Sequence, residues 1–90
     1  MLTGLLVHCQ GHGDCHTIER TKGKTIDEII KSFNVDKNAR DYVIEFLDED
    51  GDYLGYYDPA LNYLNIQWRA IEQGLVENPD EYIIDAWGDE

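Results

Sequence analysis

The last fifty residues of this 90-residue chain contain one basic side chain, Arg69. The same stretch holds fourteen carboxylates, a formal charge of −13. The first forty residues hold six bases and five acids, so one region accounts for nearly all of the net −12. Such a field repels DNA, RNA and anionic membranes. It attracts basic surfaces, which belong most often to nucleic-acid-binding proteins.

Other features are also scarce. No apolar run approaches the roughly 20 residues needed to cross a bilayer. Met1 runs straight into Leu2-Thr3-Gly4-Leu5-Leu6-Val7 with no basic segment before it, which reads as a strand rather than a signal peptide. The default expectation is therefore a cytoplasmic protein with reduced thiols. There are only two cysteines, with no C-x-x-C pair, and no Gly-Lys-Ser/Thr follows Gly11-His12-Gly13 to make a phosphate loop.

What is present points to a folded body. Hydrophobic residues make up 42% of the chain and aromatics 11%, too apolar for a disordered acidic tail. Ninety residues predict one small domain spanning 1–90, with a modest core and a surface whose self-repulsion salt should relieve.

The periodicities predict its elements. Leu2 to Cys9 reads as a buried strand, and Cys15 to Arg20 as an optional hairpin partner. Thr25 with Glu28 forms a capping box before a helix near 25–34, whose buried stripe is Ile26, Ile29, Ile30 and Phe33. Asn34 is its stop. Tyr42 to Leu47 is a strand, Asp48-Glu49-Asp50-Gly51 turns the chain, and Asp52 to Tyr57 returns.

Asp58-Pro59 reads as the cap and first position of a second helix running to Gly74. Its stripe is Leu61, Leu64, Trp68, Ile71 and Leu75. Tyr82 to Trp87 is the last strand. The order predicts an α+β, ferredoxin-like split βαβ (βαββαβ) sandwich. Two helices would cover one face of a mostly antiparallel sheet, with an extra N-terminal hairpin strand as an option. Ile44 or Phe46, Leu64, Trp68 and Ile84 are expected in the core.

Two constellations carry chemistry. All three histidines and both cysteines lie between His8 and His16, so Cys9, His12, Cys15 and His16 form a candidate zinc set. The alternatives are a Cys9–Cys15 disulfide or a plain strand–loop–strand. A Cys–His nucleophile lacks an orienting third group and an oxyanion hole, so no turnover is expected. Asp48, Asp50 and Asp52 occupy the first, third and fifth positions of a calcium loop. Tyr53 then falls where glycine is required and Pro59 where the bidentate Glu belongs, leaving at most a weak divalent site.

The second constellation is acid among aromatics. Glu45, Asp48, Glu49, Asp50, Asp52, Asp58, Glu81 and Asp85 alternate with or flank Tyr53 and Tyr56 and their neighbours. Aromatic area rimmed by charge is how many interfaces are built. In charge and size the chain resembles phage-encoded DNA mimics that inhibit restriction or CRISPR machinery. The resemblance implies a non-catalytic protein with no cofactor, docking on a basic nucleic-acid-binding protein. Zinc binding through the Cys/His cluster is the alternative.

Overall fold

The computed structural model describes residues 1–10, 13–35 and 40–88. Strands β1 (Leu2–Gln10) and β2 (Asp14–Gly23) form a hairpin, followed by helix α1 (Ile26–Phe33). Strands β3 (Tyr42–Leu47), β4 (Tyr53–Asp58) and β5 (Tyr63–Gln67) follow. Helix α2 (Trp68–Glu72), a 3₁₀ turn (Pro79–Glu81) and strand β6 (Ile83–Trp87) complete the chain. One sheet takes the order β2-β1-β3-β4-β5-β6, antiparallel throughout except for the parallel β5–β6 pair.

The α+β class is as expected, but the sheet is not the four-stranded ferredoxin-like arrangement. It has six strands, because the optional hairpin strand forms and β5 is added. A split βαβ survives locally: β2 and β3 both run antiparallel to the β1 strand between them, with α1 as the crossover. The second crossover, β5–α2–β6, joins adjacent parallel strands.

Helix α1 forms where its signals lie. The Thr25 hydroxyl accepts from the Glu28 amide at 3.2 Å, and the Glu28 carboxylate accepts from the amides of Thr25 and Lys24. Asn34 closes the helix in a left-handed conformation at φ 48°. The helix can sit close on the sheet because β1 has glycine at position 4, where a Cβ would collide with the Ile29 side chain.

The second helix is much shorter than its apolar spacing predicts. Asp58 does not cap a helix; its carboxylate accepts from the Ala60 amide in a tight loop between β4 and β5. Asn62 adopts φ 50°, which no helix interior tolerates. The residues from Tyr63 to Gln67 then alternate half-buried and buried, the period of a strand. Helix packing loses to sheet pairing here because β5 is hydrogen-bonded on both sides, to β4 and to β6. Consequently Leu61 is 64% exposed, and Trp68 sits at the surface rather than in the core.

The core lies between the sheet and both helices. It joins Leu2 and Leu6 of β1, Ile26 and Ile29 of α1, Ile44 and Phe46 of β3, Leu64 and Ile66 of β5 and Ala70 of α2. Ile44 and Phe46 are both buried, being two apart on one strand and so on one face. Ile84 packs against the core from its edge. A bulge in β4 inserts Leu54 between the pairs Phe46–Gly55 and Leu47–Tyr53, and Leu54 becomes fully buried. Gly55 makes the bulge feasible: at φ 149°, any side chain there would strike the β5 backbone.

The buried carboxylate of Asp27 ties α1 to the distant chain before β6. It accepts from the amides of Glu77 and Asn78 at 2.7 and 3.2 Å and from the Tyr82 hydroxyl at 2.9 Å. Burial, and then the bond donated to Asp27, push the Tyr82 phenol well above its ordinary value. Burial, and then Asp58, push Tyr57 in the same direction.

Two outcomes follow from this packing. Leu64→Ala is expected to cost about 2–5 kcal/mol, as for a fully buried leucine, whereas Leu61→Ala should stay within about 0.5 kcal/mol. Denaturant melts of the two variants check this, and equal losses would restore the long helix. Tyr57 and Tyr82 ionise later in the folded chain than in the unfolded chain, where tyrosine titrates near 10.0. Their contribution is fully present below that pH and lost as pH rises beyond it. Alkaline titration should therefore show late phenolate absorbance from these two, appearing together with loss of structure.

Candidate functional site

Both helices contribute to one core, so only one face of the sheet is covered. The strand registers fix what the other face carries. Leu5 lies opposite Glu45, Glu45 opposite Tyr56, Tyr56 opposite Asn65, and Asn65 opposite Asp85. On the same face Val7 lies opposite Val43, Asp58 opposite Tyr63 and Tyr63 opposite Ile83, while Cys9 lies opposite Cys15 two residues beyond Val7 on β1. Tyr53 and Trp87 extend the face, with ring centroids 6.4 Å apart, and Tyr56 meets Tyr63 edge-on at 6.1 Å.

This open face gathers five of the residues singled out from the sequence: Glu45, Tyr53, Tyr56, Asp58 and Asp85. Alternation explains it, since acids and tyrosines fall on the strand positions that point away from the core. Asp85 accepts from the Tyr63 hydroxyl at 2.7 Å, and Asn65 donates to the same oxygen. Among the described residues no lysine or arginine stands within ion-pair distance of Glu45, Asp58 or Asp85. Burial, and then the Glu45 charge, raise the Tyr53 phenol above its ordinary value.

A cavity of about 420 Å³ opens on this face. Val7, Val43 and the two cysteines supply apolar wall, with Tyr53 and Tyr56 beside them and, among the described residues, Glu45 and Asp58 as the charges. Val7 is 4% exposed yet stands outside the helix-side core, because it belongs to this wall. The alternating burial that reveals the core strands carried no signal for the cavity, which depends on which strands become neighbours.

The hairpin acids divide. Asp48 accepts from the amides of Asp50 and Asp52, both at 2.9 Å, and pairs with Arg69 of α2 at 2.9 Å. The Asp52 amide first, and then Arg69 and the Asp50 amide, hold its carboxyl below the ordinary 3.8. Asp48 therefore builds the turn and faces the helix side, which corrects its expected place among the partner-facing acids. Glu49 pairs with the N-terminal amine at 3.2 Å. Asp50 and Asp52 are exposed at the tip, and Glu81 is exposed on the 3₁₀ turn rather than on strand β6. Carboxylate oxygens of Asp48, Asp50 and Asp52 come within 4.8 Å of one another. With Arg69 already on Asp48, the group reads as a turn rather than an ion site.

The zinc set does not assemble. Cys9 and Cys15 are register partners and form a disulfide across the β1–β2 hairpin, so neither is a free thiolate. This also overturns the expectation of reduced thiols. His16 pairs with His8 on the opposite sheet face, where His8 packs 4.7 Å from the Tyr42 ring. Adjacent strand residues point to opposite faces, so Cys15 and His16 cannot share a metal. His12 lies outside the described residues. His8 and His16 meet as register partners on two strands, with both cysteines turned to the other face.

Comparison with protein-family models, with curated proteins and with solved structures finds no match for this chain.

In the purified chain neither cysteine should react with a thiol reagent before reduction. Replacing both by serine should cost about 2 kcal/mol, the chain-entropy magnitude for so short a loop. A chelator should leave the melting temperature unchanged; a fall on chelation would reinstate a bound metal.

Proposed function

We propose that this chain is a small, non-catalytic interaction protein that docks on a basic, nucleic-acid-binding protein surface and blocks it, as a mimic of nucleic acid. The observation that carries the reading is the open sheet face: aromatic, uncovered by either helix, and charged by Glu45, Asp58 and Asp85. The net −12 supplies long-range attraction to a basic partner. The tyrosines and Trp87 supply contact area at low entropic cost.

The charge split of the sequence favours one orientation of approach. Arg20 and Lys22 sit on β2, and Lys24 and Lys31 lie just before and on α1, which packs on β1 and β2. The acids concentrate from β3 to β6, at the other end of the sheet. A basic partner would meet the β3–β6 end first. The tip acids Glu49, Asp50 and Asp52 would add to the attraction, with Asp48 reserved for the turn. Exposed carboxylates contribute little singly, so the effect is collective.

The reading places the protein in the cytoplasm with no cofactor and no enzymatic activity. A reducing compartment would open the Cys9–Cys15 bridge. The β1–β2 pairing, broken by one irregularity between Leu6 and Val7, and the unbroken β1–β3 pairing would then hold the hairpin.

The test is capture from a lysate at low and high salt, with and without added DNA or RNA. Captured proteins should be basic nucleic-acid binders, released by salt and displaced by nucleic acid. Neutralising Glu49, Asp50 and Asp52 with Asp85 should slow association by about tenfold without unfolding the chain. Capture indifferent to both salt and nucleic acid would leave an ordinary apolar interface in place of the mimic.

A further inference from the structure

We propose that the cavity between β1, β3 and β4 on the open face is a receptor for one arginine side chain of the partner. The inference rests on the docking reading above and narrows it to a single recognised group.

The cavity has the parts that a guanidinium on an aliphatic stem requires. Val7, Val43 and the side chains of Cys9 and Cys15, bridged or reduced, form an apolar wall for the methylenes. Tyr53 and Tyr56 stand beside it and offer ring faces, against which a planar cation packs favourably. Two carboxylates complete it. Glu45 is opposite Tyr56, and Asp58 is two residues further along β4 on the same face. Diagonal positions of this kind are about 7–8 Å apart across a strand pair. A guanidinium between them can donate to both carboxylates at once through its forked N–H groups, which an ammonium cannot match.

The charge is unspent. Among the described residues, Glu45 accepts no side-chain or amide hydrogen bond and pairs with no cation, although it is half-buried. Asp58 accepts from the Ala60 amide with one oxygen and, among the described residues, pairs with no cation, Arg40 lining a neighbouring pocket beyond ion-pair distance. Volume agrees as well: about 420 Å³ holds one long side chain and excludes a nucleobase-bearing phosphate chain on grounds of charge. The Asp48–Arg69 pair at the far side of the sheet shows the same chemistry made within the chain, at 2.9 Å.

The experiment is an NMR titration of the full chain with two blocked tripeptides, Gly-Arg-Gly and Gly-Lys-Gly. The arginine peptide should shift Val7, Val43, Tyr53 and Tyr56 and bind at least about fivefold more tightly than the lysine peptide. Glu45→Gln and Asp58→Asn should each weaken it by about fivefold or more, since each removes one charged acceptor. Asp58→Asn keeps an oxygen for the Ala60 amide, and Glu45 has no such bond to lose, so both variants should fold. Glu72→Gln, an exposed acid at the end of α2 on the helix side, should leave the arginine affinity unchanged.

Equal binding of the two peptides, or shifts spread over all the acidic surface, would overturn the pocket and leave only general electrostatics. Shifts accompanied by concentration-dependent self-association of the free chain would also overturn it, since a second copy would then be the occupant. If the arginine peptide binds as stated but lysate capture is insensitive to salt and nucleic acid, the pocket stands and the mimic reading falls. If capture behaves as proposed and the peptide does not bind, the pocket alone falls.

Discussion

Two helices of eight and five residues can cover only one side of a six-stranded sheet, and every other property of this molecule follows from that limit. A small chain has apolar surface for one core. Here the core takes the inward residues of β1, β3, β4 and β5 together with Ile26, Ile29 and Ala70. The outward residues of the same strands then have no layer above them. They must be compatible with water, yet they still pack beside one another on a pleated surface. Tyrosine satisfies both demands, with an apolar ring and a polar tip.

The same geometry converts charge from a property of sequence into one of space. The strand order puts the basic hairpin partner β2 at one end of the sheet and the acidic strands at the other. Arg69, the one base of the last fifty residues, is drawn out of this balance to hold the β3–β4 turn through Asp48. Among the described residues, the β3–β6 part of the open face is therefore anionic, while Arg20 and Lys22 of β2, opposite Leu5 and Thr3, make its far edge basic. Asp27 shows the opposite use of a carboxylate: it is buried, fully partnered and structural. Counting acids alone does not separate these roles; their hydrogen-bond partners do.

Much of the local structure was legible. The capping box at Thr25 and the Asp-Gly turn are signals whose partners lie within a few residues, and both elements form where they predict. The long second helix misled because Leu61, Leu64, Trp68, Ile71 and Leu75 fit a helical period while Leu64 and Ile66 also fit a strand. Asn62 and the alternation of Tyr63, Asn65 and Gln67 with the two apolar residues were the available counter-signals. The Cys/His cluster misled for a different reason. Ligand counting ignores that the two sheet faces separate Cys9 and Cys15 from His8 and His16 once the segment is a hairpin.

By itself the sequence determined the charge asymmetry, the α+β class, the first helix and which strand residues could face inward, because each depends on composition or on contacts a few residues apart. Only the tertiary structure decided that residues 63–67 are a strand, that Cys9 meets Cys15, and that Glu45 and Asp58 share a cavity walled by Val7 and Val43. Those outcomes depend on which strands become neighbours and in what register, and a strand's own residues do not encode the partner that satisfies its backbone.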